Sequence, residues 1–324
     1  MALSAPVFRA LLALLLVATF GLCAAQADYP SKSMRIVLPF PAGGSTDPIA
    51  RLIAQKLTDS WGQSVIVDNR PGGNTVIGTE ALTKAPADGH SMLYTASTHV
   101  INSLLMPNLP YDTVKDFQPV AHIVRSELVL VVHPSVPAAS LQEFIALAKQ
   151  KPGAINYATS GNGNPNHLAG EYFGMLAGVR LTNVPYKGGG QAINDLLGGQ
   201  VQAMFSVPTA VAGHVKSGKL RALAYTGEKP VPGLDVPNFT QAGLPDFDIN
   251  SWNGIFVAAG TPRASVDKLS AEIARILTLP DVKERLAAQG QEPHYLNPEQ
   301  FAALLASDRE KYAAIIKSAN IKLQ

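Results

Sequence analysis

A regular alternation of strand-like and helix-like segments, which begins at Met34, limits the fold of this chain more than any other feature of its sequence. An apolar run from Met34 to Leu38 precedes a helix-like run from Pro48 to Trp61, and pairs of this kind recur along the rest of the chain. Such an alternation is typical of α/β proteins, in which helices connect neighbouring parallel strands. We therefore predict an α/β protein with mixed, mostly parallel sheets flanked by helices.

A glycine-rich loop, Pro39 to Asp47, connects the first of these strands to the first helix. Its adjacent glycines, Gly43 and Gly44, allow backbone N–H groups to turn inward, and a polar residue from Ser45 to Asp47 can cap the helix. The positive end of that helix then faces the same point, which suits the loop to holding a carboxylate or a phosphate. An ordinary strand-to-helix turn is the alternative explanation of the same residues.

Four further polar or glycine-rich loops follow predicted strands. They are Arg70 to Thr75, Ser97 to His99, Thr159 to His167 and Lys187 to Gly190. Ligands of open α/β sheets bind at the carboxyl ends of strands, so these loops are candidate ligand-binding segments. For the hydroxyl groups of the Ser97 loop, helix capping alone is an equally good explanation. The last two loops lack the full nucleotide-binding motifs, because Asn166 stands in place of a third glycine and Lys187 precedes its glycines.

The predicted elements fall into two lobes. The chain is almost continuously apolar from Val120 to Val132, apart from a polar break at Arg125 and Glu127 that we interpret as a solvated hinge pair. A segment rich in proline and glycine, Glu228 to Pro245, returns the chain, and Phe247 to Ala258 has the pattern of a second crossing strand. The predicted division is residues 28–126 plus about 248–324 for lobe 1, and residues 127–247 for lobe 2.

The first 27 residues have the pattern of a secretory signal peptide. Arg9 precedes an apolar segment from Leu11 to Leu22, which is short for a membrane span, and Ala25 to Ala27 form a small-x-small cleavage site. The residues before Cys23 do not fit a lipoprotein signal. We therefore expect a soluble, exported protein that is cleaved after Ala27.

Motifs of enzymes and metal sites are missing from the sequence. No Gly-x-Ser-x-Gly elbow occurs, the seven histidines lack metal-site spacing, and the single cysteine, Cys23, lies in the leader. We predict a protein that is not an enzyme and has no catalytic residue, no metal and no cofactor. The formal net charge of +2, without a basic run, argues against nucleic acid as a partner.

Eight short segments, spread in order over the chain after the leader, form a recognisable pattern. They are Pro39 to Asp47, Asn69 to Gly73, Ala87 to Gly89, Ser160 to Leu168, Pro185 to Gly189, Gly218 to Ala224, Gly243 to Pro245 and Ala259 to Pro262. With them the chain resembles the Bug receptors, the solute-binding proteins of tripartite tricarboxylate transporters in the bacterial periplasm. The resemblance implies a two-lobed, type II-like periplasmic binding fold joined by two crossing strands. It also implies a small carboxylated ligand and a membrane transporter with one large and one small integral subunit.

The resemblance also implies which residues contact the ligand, because in this family backbone groups and ordered waters near the first loop hold most of the carboxylate. Carried over by position, the contacts expected in lobe 1 are Ala42, Gly43, Gly44, Thr46 and Asp47, and those in lobe 2 are Ser160, Gly161, Asn164, Tyr186, Lys187 and Gly188. Ser97, which follows a predicted strand of lobe 1, and Ser206, at the end of a predicted strand of lobe 2, complete the predicted site.

Two positions of the predicted site depart from the family pattern. Asn164 stands where a serine is usual, and Ser206 stands where an aspartate is common. We therefore expect the distal part of the ligand to differ from that of the dicarboxylates and amino acids bound by other members, with a weaker preference for an ammonium group. For Asp47, helix capping and acceptance of a hydrogen bond from the ligand are equally good explanations.

The hypothesis from the sequence is a monomeric periplasmic receptor for a di- or tricarboxylate, an aromatic acid or a similar small acid. Two alternatives stay open. The first is an orphan receptor that signals to a sensor protein without transport, and the second is an exported enzyme that acts on a small acid.

Overall fold

The computed structural model describes residues 29–322 except residues 45, 187, 229, 232 and 290. The predicted leader, residues 1–27, and the candidate ligand contact Lys187 lie outside the described residues. Within the described part of the chain, no helix is both long and apolar enough to cross a membrane.

The chain forms two sheets with helices on their faces. The first elements are β1 (Met34–Leu38), α1 (Asp47–Trp61), β2 (Val65–Asn69), α2 (Val76–Thr83), β3 (Ser91–Ala96), α3 (Thr98–Leu105) and β4 (Phe117–Ser126). The middle elements are β5 (Val129–Val132), α4 (Leu141–Gln150), β6 (Asn156–Thr159), α5 (Pro165–Ala177), β7 (Thr182–Pro185), α6 (Gly189–Leu197), β8 (Ala203–Ser206), α7 (Pro208–Lys216) and β9 (Arg221–Tyr225). The last are β10 (Ser251–Ala258), α8 (Arg263–Thr278), α9 (Pro280–Ala287), β11 (Glu292–Leu296) and α10 (Pro298–Ala319).

Lobe 1 is built on a six-stranded sheet with the order β11-β4-β10-β3-β1-β2. β1 is parallel to both β2 and β3, whereas β10 runs antiparallel to β3 and to β4. Lobe 2 is built on a five-stranded sheet with the order β7-β6-β8-β5-β9, in which only β5 opposes the other strands. The predicted α/β class, with two lobes and mixed sheets, is confirmed.

The helix α1 shows why these segments fold as predicted. Ile49, Leu52, Ile53 and Leu57 recur at intervals of three and four residues and are buried, so one face of the helix packs against the core of lobe 1. Pro48 lies in the first turn, where its missing N–H leaves no intrahelical bond unmade. The helix therefore begins where the glycine-rich loop ends.

A hydrogen-bonded junction joins the two sheets, and its first connection consists of only two residues, Glu127 and Leu128, between β4 and β5. The N–H of Leu128 donates to Thr226 Oγ1 (2.8 Å), and the N–H of Thr226 donates to the carbonyl of Leu128 (2.8 Å). The hydroxyl of Thr226 donates to the Glu127 carboxylate (2.6 Å). Because Thr226 directly follows β9, these bonds tie the outward connection to the start of the return segment.

Ion pairs surround this junction. Arg125 contacts Glu127 (2.8 Å) and Asp248 (3.2 Å), and Lys311 of α10 contacts Asp248 (3.3 Å). The prediction of a hinge pair at Arg125 and Glu127 is correct for the pairing but wrong for its solvation, since the two side chains are only 30% and 20% exposed. The segment that returns the chain from lobe 2 to lobe 1, through Asp248, covers the pair together with α10.

The second crossing strand is shorter than predicted. The strand expected from Phe247 to Ala258 begins at Ser251. The ring of Phe247 packs against Phe239 with centroids 4.2 Å apart, and Asp248 is held by its ion pairs. The residues before Ser251 are therefore committed to side-chain contacts rather than to sheet pairing.

A complete capping box fixes the start of α10, which packs against both lobes. Asn297 Oδ1 accepts the N–H of Gln300 (2.9 Å), and Gln300 Oε1 accepts the N–H of Asn297 (3.1 Å). Asn297 directly before Pro298 is the sequence pattern of a capped helix start, and this prediction of Asn297 as the cap is confirmed. The box satisfies two N–H groups that a helix start would otherwise leave unpaired.

Replacing Asn297 with Ala should lower the free energy of unfolding by about 1 kcal/mol, because the N–H of Gln300 loses its acceptor. Urea unfolding followed by circular dichroism measures this change. Ser307→Ala is the control, since Ser307 is exposed in the interior of the same helix and alanine favours helices. An Asn297→Ala protein as stable as the wild type would contradict the prediction.

Candidate functional site

The predicted loops of lobe 1 share one edge of its sheet. Because β1, β2 and β3 are parallel, the loops that follow them all leave from that edge. β10 is antiparallel to both β3 and β4, so β4 also ends there, with Ser126 paired to Ser251. The loops after β1, β2 and β3 therefore lie at the edge from which the chain crosses into lobe 2.

The predicted loops of lobe 2 lie at the matching edge of the second sheet. Val129, the first residue of β5, pairs with Ser206, the last residue of β8. β6 is parallel to β8 and to β7, so Thr159 and Pro185 end their strands at that same edge. The topology thus turns the carboxyl ends of the strands in both lobes toward the two-residue connection.

The first loop of lobe 1 is closed by Asp47, the first residue of α1. Asp47 Oδ2 accepts the N–H of Gly43 (3.0 Å) and the Nε–H of Arg51 (3.0 Å). Asp47 Oδ1 accepts Nδ2–H of Asn69 (3.0 Å), and this amide also donates to the carbonyl of Phe40 (3.1 Å). The carboxylate therefore holds the loop against the end of β2.

This arrangement explains the ionisation of Asp47. Burial opposes the charge, but the hydrogen bonds from Arg51, Gly43 and Asn69 outweigh it and hold the pKa of the carboxyl below its usual value. Thr46, not Asp47, occupies the N-cap position, and within the described part of the chain its side chain makes no capping bond. Asp47 is therefore not the cap of the helix, and its carboxylate closes the loop.

The amides of the same loop are partly used within it. The N–H of Gly43 reaches Asp47, and the N–H of Gly44 donates to the carbonyl of Pro41 (3.3 Å). Ala42 and Gly43 are exposed, whereas Gly44 and Thr46 are half-buried. The loop thus presents its surface at the lobe edge with its conformation already set by internal bonds.

The second loop carries backbone strain. Asn74 and Thr75 both have left-handed backbone angles, with φ of 51° and 76°. Asn102 of α3 holds them, since its Nδ2 donates to the carbonyl of Asn74 (2.6 Å) and to Thr75 Oγ1 (3.1 Å), and its Oδ1 accepts from Asn74 Nδ2 (2.8 Å). Two adjacent residues in this region are uncommon and point to a functional loop.

Glycine at position 78 brings these two loops of lobe 1 together. A Cβ atom on Gly78 would lie 2.7 Å from the carbonyl oxygen of Arg70 and 2.8 Å from Cα of Pro39. Helix α2 can therefore approach the ends of β1 and β2 only because position 78 has no side chain. The sequence analysis did not identify Gly78, because it stands inside a helix rather than in a glycine-rich loop.

Ser97 and Ser206, the candidates at strand ends, are both buried. Ser97 is 0% exposed, and its N–H donates to the carbonyl of Trp252 (3.2 Å). Ser206 is 4% exposed, and its hydroxyl lies 3.4 Å from the carbonyl of Val207. In this conformation both side chains lie beneath the loops rather than on the surface between the lobes.

The loops of lobe 2 contact each other. Gly161 has a φ of 126°, and a Cβ atom there would meet Asn164 Nδ2 at 3.1 Å and the carbonyl oxygen of Tyr186 at 3.6 Å. Asn164 Nδ2 donates to the carbonyl of Ser160 (2.8 Å). The hydroxyl of Tyr186 donates to Asp195 (2.8 Å). The predicted contacts Ser160, Gly161, Asn164 and Tyr186 are thus neighbours, and Gly188 lies two residues beyond Tyr186.

A buried polar cluster supports the first of these loops from behind. The N–H of Gly163 donates to Nδ1 of His167 (3.1 Å), so this nitrogen carries no proton. Nε2 of His167 lies 3.8 Å from the carboxylate of Glu171, which accepts the hydroxyl of Tyr157 (2.7 Å). Burial lowers the pKa of His167 to about 4, so the ring is neutral near pH 7. From the sequence, capping or packing is favoured over ligand contact for His167, whereas the roles of Tyr157 and Glu171 were not predicted.

Replacing Asp47 with Asn should lower the free energy of unfolding at pH 7 by about 1–3 kcal/mol, because the amide group cannot accept all three donors. The pKa of Asp47 is lowered by folding, so its contribution is present above the unfolded pKa of about 3.9 and is lost as the pH falls through the folded value.

Urea unfolding of the wild type and of Asp47→Asn at pH 7 and near pH 3 measures this effect. The difference between the two proteins should be largest at pH 7 and should shrink as the pH falls toward 3. Asp59→Asn, at an exposed position on the same helix, serves as the control and should change stability little. A difference that does not depend on pH would contradict the assignment.

Replacing His167 with Leu should lower the free energy of unfolding by about 1–3 kcal/mol, because the N–H of Gly163 loses its acceptor. His167→Asn should cost less, since its side-chain oxygen can replace Nδ1 as the acceptor. Urea unfolding at pH 7 distinguishes the two variants, and equal losses would show that the acceptor does not matter.

The stability of the wild type should also fall as the pH drops from about 6.5 to 4. In this window the unfolded state takes up the His167 proton, at a pKa of about 6.5, before the folded state does at about 4. His99 and His122, also lowered to about 4 by burial, contribute to the same fall. His167→Asn should therefore lose stability less steeply, and identical slopes would contradict the neutral state of His167.

Comparison with known proteins places this geometry in a family. A family model described as the tripartite tricarboxylate transporter family receptor matches residues 49–321. BugT of Bordetella pertussis is 36% identical over 313 residues, which cover 95% of this chain and 96% of BugT.

Two solved structures are similar over almost their whole length. A Rhodopseudomonas palustris (R. palustris) protein solved with adipate is 32% identical with a TM-score of 0.79, covering 92% of this chain and 100% of that one. MatC from Rhodopseudomonas palustris, solved with bound malate, is 29% identical with a TM-score of 0.73, covering 89% of this chain and 100% of MatC. The chain therefore belongs to the receptor family of the tripartite tricarboxylate transporters, which includes the Bug proteins.

Proposed function

We propose that this protein is a periplasmic solute-binding receptor that holds a small carboxylated metabolite between its lobes and delivers it to the membrane subunits of a tripartite tricarboxylate transporter. The observation that carries the proposal is the topology, in which the strand-end loops of both lobes flank the Glu127–Leu128 connection. Relatives solved with malate and adipate support the class of ligand.

The division into lobes and the cellular location follow from the same proposal. Lobe 1 comprises residues 28–126 plus about 248–324, and lobe 2 comprises residues 127–247. The chain is exported as a monomer after cleavage behind Ala27, which leaves no cysteine in the mature protein. Amino-terminal sequencing of the protein released by osmotic shock tests the cleavage site.

The proposed ligand contacts combine backbone and neutral side-chain groups. In lobe 1 they are Ala42, Gly43, Gly44 and Thr46, with Ser97 behind them. In lobe 2 they are Ser160, Gly161, Asn164, Tyr186, Lys187 and Gly188, with Ser206 behind them. Asp47 serves this site indirectly, because its oxygens already accept three hydrogen bonds from the protein.

The loops bind best when both lobes contribute, because only a closed arrangement brings both sets of groups to one ligand. Position 206 has a serine where an aspartate is common in the family pattern, so we propose a preference for a plain or hydroxylated acid over the corresponding amino acid. Tighter binding of an amino acid than of its deaminated analogue would contradict this preference.

We propose a receptor rather than an enzyme because the family is named for transport. Incubation of each bound acid with the protein, followed by proton NMR, should recover the acid unchanged. Uptake of the labelled acid by cells that lack the gene distinguishes transport from signalling, since deletion of the gene for an orphan receptor would leave uptake unaffected.

Thermal-shift screening with mono-, di- and tricarboxylates, followed by calorimetry, tests the ligand class. A ligand at 100 times its dissociation constant stabilises the folded state by about 2.7 kcal/mol, which should raise the melting temperature by roughly 5 °C. A single binding site in the calorimetric titration is expected. A panel without any stabilising acid would contradict the proposal.

Gly161→Ala should weaken binding of that acid at least about tenfold, because a side chain at this positive φ strains the loop and the new Cβ crowds Asn164 Nδ2. Gly178→Ala is the matched control. Gly178 also has a positive φ, of 64°, but its Cβ position is open and it ends α5 away from the loop. Equal affinities of the two variants would place the ligand elsewhere.

A further inference from the structure

A cavity of about 500 Å³ lies in lobe 1, apart from all the residues proposed to bind the transported ligand. Helices α3 and α10, the segment before β4 and the strands β4 and β10 surround it. Its inner wall includes Val100, Phe117, Phe256 and Leu305, and Arg309 stands among the lining residues. The volume lies within the range of about 300–1,000 Å³ that is usual for small-molecule sites.

The cavity lining shares no residue with the proposed ligand contacts, and its far end lies away from the junction between the lobes. Phe117, which lines the cavity, is the first residue of β4, and Ser126, at the junction, is the last. Nine residue steps of a strand span roughly 30 Å. The near end of the cavity is formed by His99, two residues after the proposed contact Ser97.

A buried histidine in the wall of the cavity has an unused acceptor. His99 is only 2% exposed, and its ring packs against Phe117 and Phe256 with centroids 4.9 and 4.8 Å away. Nε2 lies 3.4 Å from the carbonyl of Thr113, which can only accept, so Nε2 carries the proton. Nδ1 is then an acceptor, and it has no hydrogen-bond partner among the described residues. Burial lowers the pKa of this ring to about 4, so His99 is neutral near pH 7.

A neutral acceptor without a partner is unfavourable inside a protein, and a ligand that brings a donor would relieve this. An apolar wall with two phenylalanine rings favours an aromatic body, and the His99 nitrogen favours a hydroxyl group on that body.

The charged residues of the lining favour an anion. Asp112 already accepts the N–H groups of Val114 (2.9 Å) and Lys115 (3.1 Å). Arg309 is exposed and forms no ion pair within residues 29–322, as far as these are described. The guanidinium group is therefore the charge that remains for a ligand.

We propose that this cavity is a second binding site, for a small aromatic acid that carries a hydroxyl group. The aromatic ring lies against Phe117 and Phe256, and the carboxylate meets Arg309. Nδ1 of His99 is buried in this conformation, so the His99 ring turns toward the cavity to accept the hydroxyl of the ligand. The inference does not depend on the identity of the ligand between the lobes.

Calorimetry and protein NMR with 4-hydroxybenzoate and benzoate test the site. One hydrogen bond corresponds to about 1 kcal/mol, so 4-hydroxybenzoate should bind about fivefold more tightly than benzoate. In His99→Phe, which keeps an aromatic ring but removes the acceptor, this ratio should fall to about one. An unchanged ratio in a folded variant would overturn the role of His99.

Ala306→Trp places a large side chain into the cavity from the exposed face of α10 and should weaken binding of 4-hydroxybenzoate at least about tenfold. Ala303→Trp, at an exposed position outside the lining, is the matched control and should leave binding unchanged.

The variant Gly161→Ala separates this site from the one between the lobes. If Gly161→Ala abolishes binding of 4-hydroxybenzoate and Ala306→Trp does not, the compound binds between the lobes and the second site is refuted. Absence of binding to the wild type at about 10 mM of either compound would refute it as well, since even weak sites of this size reach millimolar affinity. Loss of 4-hydroxybenzoate binding in Ala306→Trp but not in Gly161→Ala supports the second site. The acid between the lobes should still bind to Ala306→Trp.

Discussion

The hydrogen bonds among Glu127, Leu128 and Thr226 are the constraint on which the two-lobed arrangement depends. They hold the end of β4, the start of β5 and the end of β9 within a few ångströms of one another. Because parallel strands end at a common edge, this one junction determines where every strand-end loop of both lobes must lie. The binding region is thus a consequence of strand direction and a short connection, rather than of any single loop.

Local sequence patterns were sufficient to predict those elements that depend on residues close together in the chain. The apolar spacing in α1 and the capping residue Asn297 both reflect contacts within about four residues, and both predictions are confirmed. Strand β11 was not predicted, because it is a short edge strand that contains Pro293 and few apolar residues. The role of Asp47 in closing the loop was also not predicted, because one of its partners, Asn69, is 22 residues away. Contacts between distant residues leave no periodic signal in a sequence.

The residues that sequence reasoning missed share a position behind the loops rather than on them. Asn102 fixes the strained residues of one loop, and Tyr157, bonded to the carbonyl of His167, supports another. Such polar supports set the loop conformation before a ligand arrives, so less conformational entropy is lost on binding. For Asn102, the available sequence signal is an asparagine inside the helix that directly follows a polar strand-end loop.

The two-residue length of the first connection also bears on association between molecules. Exchange of a lobe between two copies would have to open this connection, in which Glu127 and Leu128 are already bonded to Thr226. Domain swapping would have to break these bonds, the Arg125 ion pairs and the packing of α10 across both lobes at once. The junction that aligns the loops therefore also keeps each copy of the chain folded upon itself.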